Sequence, residues 1–91
     1  MPYIKPLERI ELKPHIDYLL LVLNQKGYKP GWVNYIVTTI IYYWWRSSAQ
    51  NYTTLAMICG TLDNVKDEFY RRVASPFEER KIAEHGDVFS A

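Results

Sequence analysis

The sequence predicts an all-α fold: a compact three- to four-helix domain with a long or kinked C-terminal helix, homo-oligomeric in its working form. Three observations predict it. Leu55, Ile58, Leu62, Val65, Phe69 and Val73 follow one another in steps of three or four, the spacing that lines one side of a helix. The other long apolar run, Trp32 to Arg46, is long for one strand, and no partner strand is evident elsewhere. At 91 residues the chain makes a single helical domain, 1–91, near the lower limit for a self-sufficient core, so burial against further copies would help it.

The elements follow in chain order. Pro6 can open a short helical turn carrying Leu7, Glu8, Arg9 and Ile10. Pro14 then suits the first turn of the first full helix, about 14 to 25, with Ile16, Leu19, Leu20 and Leu23 on one face. Gly27, Pro30 and Gly31 mark a loop. From Trp32 to Arg46 the β-branched and aromatic residues favour a strand locally, but Val33, Ile36, Val37, Ile40, Ile41 and Trp44 recur at helical spacing, so the run is read as a helix. Such a helix is apolar nearly all round, which implies cover on two sides, the second by another subunit. Thr53 or Thr54 can cap the third helix, and Gly60 within it fits a close helix approach. Ser75-Pro76-Phe77-Glu78 reads either as a restarted helix with a capping box or as a kink in one long helix. His85-Gly86 ends it, and Asp87 to Ala91 is a tail.

Composition narrows the function classes. Eleven basic and ten acidic side chains give a net charge of +1, too little for a broad positive field, so no DNA partner is expected. Cys59 is the single cysteine, which excludes an internal disulfide and is read as a small buried hydrophobe. The opening residues lack the order of a signal peptide, and the uncharged stretch Pro30 to Trp45 falls short of the roughly 20 residues of a spanning helix. A cytoplasmic protein with no membrane partner is expected.

No catalytic set emerges. His15 to Asp17 and His85 to Asp87 are isolated pairs, so neither a metal nor another cofactor is expected. Glu78, Glu79 and Glu84 interleave with Arg80 and Lys81 as a solvated helix face does, and the chain is read as a non-enzyme. An acid-base site would need Glu78 or Glu84 beside His15 or His85. The stronger candidates combine aromatic and basic residues, which stack on flat rings and clasp anionic oxygens. Tyr70, Arg71, Arg72, Phe77 and Lys81 form a candidate ligand site. Tyr42, Tyr43, Trp44 and Trp45, followed by Arg46, form a candidate interface. The competing reading pairs these arginines with Asp67, Glu68, Glu78 or Glu79 and packs the aromatics between subunits.

Met1-Pro2-Tyr3-Ile4 with Glu8-Arg9, then Asn34-Tyr35, then Glu68-Phe69-Tyr70-Arg71-Arg72-Val73 with Pro76, Glu78, Lys81-Ile82 and Gly86-Asp87-Val88 run through most of the chain. In these residues it resembles a family of small uncharacterised proteins encoded by bacteriophages and prophages. It departs at Ile10, Phe77 and His85, where the family has a basic residue, tyrosine and asparagine, and in the extra aromatics at 42 to 45. The resemblance implies an accessory protein acting in the host bacterial cytoplasm. By analogy of class, it implies a counter-defence sponge that sequesters a nucleotide-derived host immune signal, a small anionic ligand held by Arg71, Arg72 and Lys81 with stacking from Tyr70 or Phe77. The alternative is an interaction module that inhibits a host protein or assembles with phage components through Tyr42 to Trp45.

Overall fold

A computed structural model describes residues 3–89. The first two and last two residues of the expected terminal segments lie outside these. All regular elements in the described residues are helical: α1 Pro6–Gln25, α2 Pro30–Arg46, α3 Tyr52–Phe69, a π-helical turn Tyr70–Ala74 and α4 Ser75–His85. The last three run on as one long C-terminal helix, one of the two forms that the sequence leaves open there. The chain divides into two units, Met1–Ile58 and Cys59–Ala91.

In the first unit, α1 starts at Pro6 rather than near Pro14 and runs straight through the second proline. Pro14 supplies no N–H to the carbonyl four residues back, at Ile10, and a proline inside a helix costs about 3 kcal/mol. The exposed surroundings soften that cost, since water can serve the stranded carbonyl. An ion pair from Lys13 Nζ to Asp17 Oδ2 at 2.8 Å spans the proline.

The end of α1 is closed by its backbone. The Tyr28 N–H donates to the Leu23 carbonyl at 2.9 Å and the Gly27 N–H to the Asn24 carbonyl at 3.2 Å. These crossed bonds are a Schellman motif, with Gly27 at φ +69 in the left-handed position. Tyr28 follows at φ 54, an unusual backbone for a non-glycine residue.

Pro30 and Gly31, expected in the loop, instead form the first turn of α2, where proline loses nothing because the first helical N–H groups have no intrahelical acceptor. The helical reading of this run holds despite its β-branched content. Thr38 turns its hydroxyl onto Asn34 Oδ1 at 3.1 Å, and Arg46 sits in the last turn, where a cation suits the helix dipole. No residue of α2 is buried.

The cap of α3 is Asn51, not Thr53 or Thr54. Its Oδ1 accepts from the Thr54 N–H at 2.9 Å, as a helix-capping side chain does toward the third residue inside. Thr54 is buried instead, and with Leu23 and Ile58 it completes the set of buried residues among those described. Cys59, expected to be buried, is exposed. A methyl on Gly60 would find nothing within 4 Å among the described residues, so no close helix approach explains that glycine.

In the second unit the capping box is not formed: Ser75 has helical φ and ψ, and Ala74, the residue before α4, makes no side-chain cap. The chain continues through the π-helical turn, where the Ser75 N–H reaches back five residues to the Tyr70 carbonyl. Pro76 explains the position. Its ring would press on the carbonyl four residues earlier in an α-helix, and the wider turn just before it opens that space. Gly86 ends the helix at φ 88 and ψ 153, positive but extended rather than left-handed, with its N–H on the Ile82 carbonyl at 2.8 Å.

Candidate functional site

The π-helical turn takes up one residue more than an α-turn, and this sets the site's geometry. Tyr70 and Glu78 are eight residues apart, which would put them about 80° out of line on an α-helix. With one residue absorbed by the turn they share a face, about two turns apart. The Tyr70 hydroxyl accordingly donates to both Glu78 carboxylate oxygens, at 3.1 and 3.3 Å.

The basic residues are mostly engaged by neighbours on their own helix. Arg71 Nη2 lies 2.7 Å from Glu68 Oε1, and Lys81 Nζ lies 3.2 Å from Glu84 Oε2. Arg72 makes no ion pair among the described residues. The Phe77 ring has Lys81 Nζ at 5.4 Å and the Arg80 guanidinium at 5.8 Å from its centroid, within cation–π range. Phe77 and Lys81 are thus brought together, and Tyr70 is tied to Glu78. Arg71 is drawn onto Glu68. An open groove of about 440 Å³ is lined by Glu78, Lys81, Ile82, His85 and the residues that follow the helix, where the Phe89 N–H folds back onto Asp87 Oδ1 at 2.8 Å.

Hydrogen bonding to Glu78, then the charge of that carboxylate and slight desolvation, raise the Tyr70 pKa above 10.0. A raised folded-state value means that the bond stabilises the fold below about pH 10 and is lost as pH rises through the raised value. Glu78→Gln is expected to return the Tyr70 titration toward the ordinary range. NMR of ring-labelled tyrosine, with Tyr70→Phe identifying the signal among the eight tyrosines, would measure it. An unchanged titration would show that the bond does not persist in solution.

In the first unit the candidate interface residues lie at the end of α2. Tyr42 and Tyr43 are exposed and meet edge to face at 5.8 Å and 81°, while Arg46 sits 5.9 Å from the Tyr42 centroid. Trp44 and Trp45 are half-buried. A second feature was missed in the sequence: an apolar groove of about 720 Å³ between α1 and α2, walled by Tyr18, Leu19, Val22, Trp32, Tyr35 and Ile36. The spacing of Leu19 and Val22 with Trp32 and Ile36 was its only signal. Lys26 stands over Trp32, 5.4 Å from the ring centroid.

Among the described residues no three His, Cys, Asp or Glu side chains gather as a metal site, and no helix is long and apolar enough to cross a membrane. No curated protein and no solved structure matches the chain. A family model does match, over residues 1–88, and its description is a domain of unknown function, DUF6899. That match spans α1 to the end of α4 with both candidate surfaces, and the chain belongs to this family.

Proposed function

We propose that the chain is a phage-encoded accessory binding protein that works by protein–protein contact, first with copies of itself and through them with a host or phage partner. One observation carries this reading: Leu23 and Ile58 are the only buried apolar residues among those described, while large apolar side chains stand exposed on every helix. Apolar area left in water costs about 25 cal/mol per Å², and extended apolar patches mark interaction sites. The aromatic end of α2 and the α1–α2 groove supply the amphipathic rings that interfaces favour.

A second reading, the sponge for an anionic nucleotide signal, has the Phe77 ring with its two neighbouring cations in its favour. Against it, Arg71, Lys81 and Tyr70 already have carboxylate partners, which a ligand would have to displace. Sedimentation equilibrium over a wide concentration range tests the first reading, with a mass of two or more chains expected. A monomer throughout would overturn it. Calorimetry with linear and cyclic nucleotides tests the second, which absence of heat would remove.

A further inference from the structure

We infer that the helix of the second unit pairs antiparallel with the same helix of a second copy, along a seam of Val65, Phe69, Val73 and Phe77. The inference rests on the self-association reading and names the surface and orientation that serve it. Among its described residues the second unit holds the long helix from Cys59 onward and a short tail, and a single helix has no interior of its own. Its four seam residues are 62, 62, 51 and 50% exposed, in chain order.

The π-helical turn makes the seam straight. These residues follow one another in three steps of four, which on an α-helix would swing the stripe about 120° around the axis. With one residue absorbed at Tyr70–Ala74 the same run drifts only about 20°, the drift of an ordinary heptad seam.

The order of sizes selects the direction. The seam is symmetric about Arg71, with Phe69 and Val73 on either side and Val65 and Phe77 beyond them. An antiparallel pair centred there sets Phe69 against Val73 and Val65 against Phe77, one large and one small side chain in every layer. A parallel pair would stack Phe on Phe and Val on Val, giving alternately crowded and thin layers.

The flanking charges select the same direction. Glu68 and Arg72 lie along one side of the seam, and Lys66 and Glu78 along the other. In the antiparallel pair each side meets its own counterpart reversed. Arg72 then comes within about 3 Å, along the axis, of the level of Glu68 in the second copy, and Lys66 likewise of Glu78. Both carboxylates keep their contacts within the chain, to Arg71 and Tyr70, and a carboxylate can accept from more than one donor.

Cross-linking the full chain tests this. In a Cys59→Ser background, one tagged preparation carries Phe69→Cys and a differently tagged one carries Val73→Cys. Facing seam positions lie within disulfide distance, so mild oxidation of the mixture should give the mixed dimer as the main product, well above either like-with-like dimer. A Phe69→Cys preparation that links chiefly to itself would overturn the antiparallel pairing. If the wild type is oligomeric but neither variant links, another surface holds the oligomer: the seam falls and the proposed function stands. A wild type that is monomeric throughout removes both. Phe69→Glu gives a second measurement, an expected rise of about 100-fold in the concentration for half-association, with circular dichroism reporting whether the helices remain.

Discussion

Ile58→Ala should lower the unfolding free energy by about 2–4 kcal/mol and the melting temperature by about 10 °C or more. The expectation follows from how few residues hold the first unit together. Ile58 is 5% exposed and Leu23 is 8% exposed, and no other apolar side chain among the described residues is buried. Truncating one removes its transfer energy and leaves a hole that few neighbours can refill. Leu7, 80% exposed on α1, is the control, and its replacement by alanine should move the midpoint by a degree or two at most. Thermal unfolding followed by circular dichroism compares the three proteins at one concentration. If Ile58→Ala melts with the wild type, the first unit is held elsewhere.

Gly27→Val should cost about 2 kcal/mol. Gly27 occupies φ +69, a region in which a side chain costs about 1–2 kcal/mol and a β-branched one sits worst. Space is not the obstacle, since a methyl there would meet nothing within 4 Å among the described residues. The backbone alone is tested. Gly27→Asn should therefore recover most of the loss, because asparagine tolerates the left-handed region. Urea unfolding of both variants checks this, and equal midpoints would show that α1 ends differently in solution. Tyr28, next in line at φ 54, has its N–H engaged by the Leu23 carbonyl, so loosening Gly27 also loosens the backbone of a buried residue.

Much of the fold was legible because periodicity outlasts local preference. The α2 run carries strand-forming residues, yet its length, its spacing and the lack of a partner strand pointed to the helix that forms. Misreadings cluster where one residue has two permitted uses. Pro14 can open a helix or be tolerated inside an exposed one, and Pro30 can sit in a loop or at a helix start. Asn51 and the threonines after it are all competent caps, and only the backbone path chose Asn51.

The candidate ligand site was legible in part. The pairs Arg71–Glu68 and Lys81–Glu84 are three residues apart and follow from helical spacing, as the competing reading had it for Arg71. The Tyr70–Glu78 bond does not follow, because eight residues on an unbroken α-helix point them apart. Its cause is the π-helical turn, and a proline with two possible effects was its only written sign.

The same turn makes the long helix locally tolerant of a change in length. Deleting one residue anywhere else in Tyr52–His85 would rotate all that follows by about 100° and scatter its faces. Deleting one within Tyr70–Ala74 would let the two halves rejoin in nearly the same rotational phase as plain α-helix. The cost would fall on Pro76, pressed again onto the carbonyl one α-turn before it.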